Sequence, residues 1–447
     1  MSAENKKAAV IGMGAITPLG PDLKTGWNNL INGVNGVGPK EFPDYPQMDV
    51  HLAGAVHGFD ESVLVAQNVV TKSEARYLSR ALQFSAGSAF AAMQDAGLLV
   101  PHTRMQGRIP IKSWKLREDI NPEDVLVIGA TGVGGTIQTS LEVDEKLKSH
   151  RETGQEPKKA DLPDIFRGLP ARVATVPSLA FGTRGGAFMV GAECASGNYA
   201  QGVALERIRS GRSKIVIVVG AESSNIPVAI NMFQAIGAQS TQRDKEKAPR
   251  AFEDPQSENY YESSGFIQSE GGGSIAYAEP SYARTKGLEA KAFLVGYGDS
   301  TDAHHPSFPL EDGSQQLRAM QLAIADAGDL PDYEEYINAH ATGTAADSIE
   351  ADVIRRLNRQ RLVGISSTKP SHGHLLGATS IVEAIWTIMA MREQILPPNI
   401  KSVYPSEVAK KLGLVANEAR RTRNVGIGIN NGFGFGGVNA TLVFVAA

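Results

Sequence analysis

The alternation of apolar runs with helix-spaced segments constrains the fold of this chain more than any other feature of its sequence. Runs that are apolar on both faces are typical of buried parallel strands covered by helices. The clearest of them lie at residues 8–13, 125–130, 214–222, 291–298 and 425–429. Because the series starts again near residue 281, the pattern predicts an α/β protein built from two similar halves, 1–280 and 281–447.

The single cysteine lies at one of these changes from strand to helix. Residues 188–199 pass from an apolar run into Glu-Cys-Ala-Ser-Gly and then continue at helical spacing. A thiol at such a turn meets backbone N–H groups and the positive end of a helix dipole, so we predict that Cys194 is a nucleophile with a lowered pKa. The alternative is that a lone cysteine simply packs in the core. We expect strand alternation to point Glu193 away from the thiol, toward a neighbouring wall of the site.

Two later turns of the same design supply basic side chains. Residues 336–344 deliver His340, and residues 363–378 deliver Lys369 and His374 before another helix pattern. A cysteine accompanied by imidazoles elsewhere in a chain is the pattern of an activated thiol. Taken singly, each histidine could equally be a buried structural residue, and the lysine could simply be exposed at a helix start.

Composition excludes several classes of function. A net charge of −4 gives no overall attraction to nucleic acid or to an anionic membrane. One cysteine excludes an internal disulfide, and no apolar run approaches the roughly 20 residues of a membrane span. Residues 1–7 lack the apolar stretch of a signal peptide, so we expect a cytoplasmic location. We also expect no metal site.

Two glycine-rich turns resemble phosphate-binding loops without completing the motif. At residues 12–14 the third glycine position is taken by Thr17, and Pro18 follows at once. The turn at 132–135 has no Lys-Ser or Lys-Thr after its glycines, so close backbone packing explains it better.

Residues 101–124 interrupt the rhythm, and we interpret them as an insertion. The stretch is polar, and its cations could contact an acidic partner protein, although a run of charges is usually only a solvated face. These cations are Arg104, Arg108, Lys112, Lys115 and Arg117.

Four ordered motifs resemble the signatures of the 3-oxoacyl-[acyl-carrier-protein] synthases, most closely the stand-alone elongating enzymes. Any one of these motifs alone would be a weak signal, but together, in this order, they are specific. They are Glu-Cys-Ala-Ser-Gly at 193–197, His-Ala-Thr-Gly-Thr at 340–344, Lys369 with Gly-His-Leu-Leu-Gly-Ala at 373–378, and Asn-Gly-Phe-Gly-Phe-Gly-Gly-Val-Asn at 431–439. The resemblance runs from residue 9 to residue 444.

The resemblance implies a thiolase-like five-layer sandwich, a homodimer and a decarboxylative condensation. Cys194 would hold the acyl chain as a thioester, and His340 and His374 would donate hydrogen bonds to the malonyl thioester oxygen. Backbone N–H groups of Cys194 and Phe435 would form the oxyanion hole, and Lys369 would orient the site. No cofactor is expected, because the substrates arrive on the phosphopantetheine arm of acyl carrier protein.

The resemblance also implies roles for residues around this catalytic set. Thr342, Thr344 and Ser307 would bind the phosphopantetheine arm, while Phe433 and Phe435 belong to a loop that opens for the acyl chain. Supporting positions behind the catalytic residues are Glu383, Asp347 and Glu350. Lys72, Arg76 and Arg207 lie in segments that resemble carrier-docking stretches.

The sequence departs from the family pattern at several positions. Glu193 and Ala341 replace the common alanine and glycine, His372 stands where threonine is usual, and residues 255–261 look inserted. A specialised type II ketosynthase for polyketide or aryl-polyene-like products therefore stays open as an alternative. A non-catalytic partner subunit of the chain-length-factor kind and an unrelated cysteine hydrolase are further alternatives, although a partner subunit typically loses the cysteine.

Overall fold

The computed structural model of the chain describes residues 7–153, 162–258 and 260–447. Its strands are β1 (Ala8–Ile16), β2 (Val37–Pro39), β3 (Leu52–Gly54), β4 (Leu99–Gln106), β5 (Ile109–Leu116), β6 (Val125–Ala130), β7 (Ala187–Val190), β8 (Ile215–Glu222), β9 (Gly271–Ala278), β10 (Ala292–Thr301), β11 (Glu334–Asn338), β12 (Leu362–Ser366), β13 (Ile395–Leu396), β14 (Arg420–Arg421), β15 (Val425–Gly434) and β16 (Val438–Ala446).

Helices connect most of these strands. They are α1 (Leu23–Ile31), α2 (Glu61–Ala66), α3 (Lys72–Ala75), α4 (Arg80–Asp95), α5 (Thr136–Thr153), α6 (Leu162–Gly168), α7 (Arg172–Phe181), α8 (Ser196–Arg209), α9 (Pro227–Ala235), α10 (Tyr260–Ser263), α11 (Pro280–Thr285), α12 (Ser314–Ala327), α13 (Ala346–Leu357), α14 (Lys369–His372), α15 (Thr379–Glu393) and α16 (Glu407–Lys411). None of the helices within the described parts of the chain is both long enough and apolar enough to span a membrane.

Ten strands form one sheet with the order β12-β11-β15-β16-β10-β1-β9-β8-β6-β7. The five strands on the β12 side come from residues after 281, and the five on the β7 side come from residues before it. Numbered along the chain within each half, both sets have the spatial order 3-2-4-5-1. The halves meet where β1 pairs antiparallel with β10 over three residue pairs. This repeat confirms the two similar halves that the sequence pattern predicts.

The helices and the two half-sheets form alternating layers. Helices α8 and α15 contact strands of both halves and therefore occupy the middle layer. Helices α4 and α7 cover the outer face of the first half, and α12 with α13 covers the second. One hydrophobic cluster joins Ala204 of α8 and Ile381 of α15 to Val218 and Phe444 from the two half-sheets. These contacts give the five layers expected of a thiolase-like fold.

The inserted segment is a β-hairpin rather than an irregular connection. Strands β4 and β5 pair over eight residue pairs from Leu99↔Leu116 to the tip at Gln106↔Ile109. Three of its cations have acidic partners, since Arg104 pairs with Glu74, Lys115 with Glu118 and Arg117 with Asp119. These local ion pairs agree with the interpretation of the charged hairpin surface as largely a solvated face.

Some boundaries differ from those expected. The spacing of apolar residues over 73–97 predicts a helix that stops at Gly97. The observed helix contains a break, because α3 ends at Ala75 and α4 begins at Arg80. The expected helix stop is confirmed, since Gly97 has a φ of 65°, which favours glycine. The glycine- and phenylalanine-rich segment 431–439 is mostly strand, because β15 extends to Gly434 and β16 begins at Val438. Residues 1–6, with the expected absence of a signal peptide, and Asn259 of the inserted stretch 255–261 lie outside the described residues.

Candidate active site

Four of the five residues predicted to be catalytic line one cavity of about 610 Å³, and the fifth, Lys369, does not line it. Cys194 enters it from the first half of the chain, while His340, His374 and Phe435 enter from the second. They meet because α8 and the turn before α15 lie in the middle layer, which both halves share. The residues that follow the carboxyl ends of β7, β11 and β12 therefore reach the same cavity. The fold thus assembles one site from residues up to 241 positions apart.

Cys194 is almost fully buried in a short 3-10 turn, Glu193–Ala195, that leads into α8. Its side chain packs with Phe266 and Leu376 in an apolar cluster. Burial, together with the negative charges of Glu193 and Glu222, raises the pKa of the Cys194 thiol to about 12, although Lys369 opposes the rise. The predicted lowering of this pKa is therefore wrong, because desolvation outweighs the favourable end of the helix.

The expectation for Glu193 also needs correction. This residue lies in the 3-10 turn with a φ of 47°, and not in a strand, so strand alternation does not direct its side chain. Its carboxylate raises the pKa of Cys194 even though its side chain is exposed. Glu193 is not among the residues that line the cavity, and the structure gives the predicted substrate-binding role no support.

His374 is the side chain placed to take the thiol proton. Its Nε2 lies 3.1 Å from Cys194 Sγ, and its Nδ1 lies 2.9 Å from Thr379 Oγ1. Burial and the charge of Lys369 hold the pKa of His374 well below its usual range. Because the Thr379 hydroxyl can accept or donate, the neutral ring can present Nε2 either as an acceptor for S–H or as an N–H donor.

His340 is held by its own backbone. The main-chain N–H groups of His340 and Ala341 donate to the Glu350 carboxylate at 2.9 and 2.8 Å, and Asn431 adds a third donor at 2.9 Å. Burial and nearby Lys369 lower the pKa of His340 well below its usual range, so the ring is neutral. Its Nδ1 is buried and finds no hydrogen-bond partner within the described residues. In the part of the chain that the structure describes, no partner of Nδ1 therefore fixes which nitrogen of the His340 ring carries the hydrogen.

The two threonines that follow His340 line the same cavity. Their hydroxyls lie 3.0 Å apart, and the backbone N–H groups of Thr342, Gly343 and Thr344 donate to the buried carboxylate of Asp347. Glu350 and Asp347 are thus the supports of this loop, in the places that the resemblance implies. Ser307 also lines the cavity, at its exposed side.

Lys369 is fully buried and ion-paired. Its Nζ lies 2.7 and 2.8 Å from the two oxygens of Glu383, which is also inaccessible to solvent. Burial raises the pKa of Glu383 to about 7, with Lys369 opposing the rise. Burial is the main cause of the lowered pKa of both His340 and His374, and the charge of Lys369 adds to it. The expectation that Lys369 orients the site therefore has an electrostatic basis here.

The turn Phe435–Gly437 closes one side of the cavity. Phe435 stacks on Phe233 with 6.1 Å between ring centroids, and Phe433 packs 5.9 Å from the His340 ring. A Cβ at Gly434 would lie 3.1 Å from the Cys194 nitrogen. Glycine therefore lets the turn that carries Phe435 approach the backbone of Cys194, as an oxyanion hole made by these two residues requires.

Three contributors were not found from sequence. The Phe233 ring stacks on Phe435, and the Phe266 ring packs edge-on against His374. Both phenylalanines lie in segments without a motif and also contact each other, so only the tertiary fold reveals them. The third is Glu222, whose buried carboxylate accepts hydrogen bonds from the backbone N–H groups of residues 132–134. The glycine-rich turn at 132–135 thus binds an internal carboxylate, which agrees with the rejection of a phosphate loop.

The remaining predicted residues lie outside the cavity. Lys72 and Arg76 are exposed on and just after α3, and Arg207 lies over the Phe188 ring at 5.6 Å. None of the three lines the cavity, and their docking role stays a prediction. Within residues 7–153, 162–258 and 260–447, no group of three or more His, Cys, Asp or Glu side chains could hold a metal ion.

Comparison with known families places the chain. Residues 5–279 match the model of the beta-ketoacyl synthase N-terminal domain, and residues 291–402 match that of the C-terminal domain. The chain is 31% identical over 448 residues to 3-oxoacyl-[acyl-carrier-protein] synthase 2 of Staphylococcus aureus (strain COL), with 99% of both chains covered. The enzyme of the same name from Vibrio cholerae serotype O1 is 30% identical, with 98% of this chain and 99% of the relative covered.

Solved structures show the same fold. The ishigamide ketosynthase/chain length factor superposes with a TM-score of 0.82 at 26% identity, covering 99% of both chains. A beta-ketoacyl synthase from Burkholderia phymatum STM815 gives 0.81 at 26% identity, covering 99% of this chain and 100% of the other. With two family domains, full-length relatives and this fold, the chain belongs to the beta-ketoacyl synthases, which are condensing acyltransferases of thiolase-like fold.

Proposed function

We propose that this chain condenses an acyl group held on Cys194 with malonyl-acyl-carrier-protein, giving 3-oxoacyl-acyl-carrier-protein and carbon dioxide in fatty-acid synthesis. The observation that carries the proposal is the meeting of Cys194, His374 and His340 in one cavity, with Lys369–Glu383 buried behind them. The names of the curated relatives support the carrier-bound substrate.

Acyl loading begins with proton transfer. A thiol with a pKa raised to about 12 is protonated at neutral pH, and His374 Nε2 at 3.1 Å can accept the proton as sulfur attacks the incoming thioester. The carrier thiol leaves with a proton, and the acyl group becomes a thioester of Cys194. The N–H groups of Cys194 and Phe435 would stabilise the negative oxygen of this step.

Condensation then uses the two neutral imidazoles. The malonyl C–CO₂⁻ bond breaks, carbon dioxide leaves, and the electron pair forms an enolate whose oxygen accepts hydrogen bonds from His340 and His374. The enolate carbon attacks the Cys194 thioester. Collapse of the tetrahedral intermediate releases the 3-oxoacyl product and the Cys194 sulfur, which regains a proton.

The test is mass spectrometry of the protein after incubation with acyl carrier protein loaded with a saturated acyl chain. We expect a mass increase equal to the acyl group, localised to the Cys194 peptide and absent from Cys194→Ala. Absence of the adduct in the parent protein, despite correct folding, would favour a non-catalytic partner subunit. Rapid release of free acid without malonyl substrate would favour a hydrolase.

A specialised ketosynthase is the second candidate, and one observation favours it. Tyr260 and Tyr261, from the inserted stretch, line the cavity, and Tyr261 is largely exposed. Aromatic side chains at a substrate entrance favour extended unsaturated or aryl chains. Competition between saturated and polyunsaturated acyl carriers in the adduct assay separates the two candidates, because a fatty-acid enzyme should prefer the saturated chain.

The carrier and the homodimer are parts of the same proposal. We expect Lys72→Glu, Arg76→Glu and Arg207→Glu to raise the KM for malonyl-carrier about 3- to 10-fold with little change in kcat, because rim charges act mainly on encounter. Lys24→Glu, at another exposed lysine, is the matched control. Equal losses with malonyl-pantetheine, which lacks the carrier, would contradict a docking role. Sedimentation of the parent chain would test the homodimer.

A further inference from the structure

His372 is a buried side chain that the mechanism above does not use. It ends α14, three residues after Lys369 and two before His374, and it is inaccessible to solvent. We propose that His372 is a positioning residue that fixes both the Lys369–Glu383 pair and the His374 backbone. The inference rests on the proposed condensation, and its test includes an assay that does not.

Hydrogen bonds assign the tautomer of His372. Nδ1 lies 2.7 Å from the carbonyl oxygen of Gly373, which can only accept, so Nδ1 carries the hydrogen. Nε2 lies 3.0 Å from Thr368 Oγ1. Burial and nearby Lys369 lower the pKa of His372 to about 3, so the ring is neutral and Nε2 accepts from the Thr368 hydroxyl.

This tautomer decides what Thr368 can do. Its Oγ1 also lies 3.4 Å from Glu383 Oε1, but one hydroxyl hydrogen cannot serve both acceptors. While His372 takes that hydrogen, the close donor to Glu383 is the Lys369 ammonium, at 2.7 and 2.8 Å. By accepting the Thr368 hydrogen, His372 therefore leaves Lys369 as the main hydrogen-bond donor to the Glu383 carboxylate.

The other nitrogen of His372 fixes the approach to His374. Gly373 adopts a φ of 74°, and its flanks are held by hydrogen bonds from Gly373 N to Lys369 O and from His374 N to Ile267 O. The His372 ring supplies the donor for the buried Gly373 carbonyl. Without it this buried carbonyl loses its hydrogen-bond partner, which favours rotation of the peptide that carries His374.

The first test is the pH dependence of malonyl-carrier decarboxylation. In the parent protein, activity should fall as pH decreases through the pKa of Glu383, because protonation of the carboxylate breaks the ion pair. His372→Thr frees the Thr368 hydroxyl for Glu383, and a donor to the carboxylate lowers its pKa. We therefore expect the low-pH side of the pH–rate profile, its acid limb, to move down by about 0.5–1 pH unit. We also expect kcat to fall about 10-fold.

The acid limb is assigned to Glu383 against the other groups near it. Lys369 of α14 favours its ionised form, whereas Glu350 of α13 disfavours it. Tyr336 of β11 also lies within its field and stays neutral. These three surroundings are unchanged by His372→Thr, so they do not account for the expected shift.

Two further variants make the test decisive. Adding Thr368→Val to His372→Thr removes the hydroxyl and should return the acid limb to the parental pH. His372→Asn, whose amide offers both a donor and an acceptor, should recover most of kcat. A loss of thermal stability with an unmoved acid limb, or a shift that persists in the double variant, would overturn the proposal.

Alkylation of Cys194 by iodoacetamide gives a readout independent of the proposed reaction. His374 accepts the thiol proton in this reaction too, so His372→Thr should slow alkylation several-fold and His372→Asn should not. If the parent protein does not decarboxylate malonyl-carrier, the proposed function fails while this comparison still tests His372. Equal alkylation rates in the parent and His372→Thr would contradict the positioning role by itself.

Discussion

Cys194→Gln should abolish condensation and still release carbon dioxide from malonyl-carrier. Decarboxylation needs the enolate donors and not the nucleophile, and a glutamine amide can occupy the place of the acylated sulfur beside His374 Nε2. His340→Ala and His374→Ala should instead lose about 10²–10³ in decarboxylation rate, or roughly 3–4 kcal/mol, the usual loss for one preorganised donor to a developing oxyanion.

Counting labelled carbon dioxide for each variant measures this separation directly. His57→Ala is the matched control, because that histidine is exposed and does not line the cavity. A His340 or His374 variant that decarboxylates at the parental rate would show that the enolate oxygen finds its donors elsewhere.

The second large effect concerns the buried ion pair. Lys369→Met leaves the Glu383 charge without its partner, and Glu383→Leu leaves the Lys369 charge, so each should lower the free energy of unfolding by about 3–5 kcal/mol. The double variant Lys369→Met/Glu383→Leu buries no unpaired charge and should recover most of that loss. It should lose most of its activity, because burial alone then lowers the pKa of His340 and His374, without the added effect of the Lys369 charge.

Urea unfolding followed by circular dichroism measures these changes. The control is Asp352→Ala, which breaks an exposed pair with Arg355 on one helix and should cost less than about 1 kcal/mol. A double variant as unstable as either single variant would mean that packing around the methylene groups, rather than charge pairing, dominates at this position.

Local patterns predict much of this fold. The apolar run at 214–222 predicts a strand, which is observed at Ile215–Glu222. The helical spacing of residues 315–327 predicts a helix, which is observed at Ser314–Ala327. Both predictions are correct because the periodicity of apolar residues and the presence of turn residues depend only on residues that are close together in the sequence. The hairpin at 99–116 was not predicted as strands, because its apolar residues do not alternate strictly with polar ones and Pro101 and Pro110 interrupt the pattern.

The candidate site divides in the same way. Motif spacing finds Cys194, His340, Lys369 and His374, but not their electrostatics. The pKa of Cys194 was predicted in the wrong direction mainly because its burial comes from distant residues such as Phe266 and Leu376. The adjacent Glu193 also raises this pKa, and its place in a 3-10 turn rather than a strand was not predicted. The Thr379 hydroxyl allows either tautomer of His374, because it can donate to Nδ1 or accept from it. In the sequence Thr379 looks like an ordinary first residue of a helix.

The repeated strand order allows the residues at the ends of equivalent strands in the two halves to be compared. Equivalent strands of the two halves now end in different chemistry, since β7 leads to the thiol whereas its counterpart β12 leads to Lys369 and His374. Likewise β6 ends in a turn bound by Glu222, whereas its counterpart β11 ends in His340. A chimaera of two first halves would have two nucleophiles and no enolate donor, and one of two second halves would have the reverse. The two halves share one strand order but carry different side chains, so under the proposed mechanism neither half could replace the other.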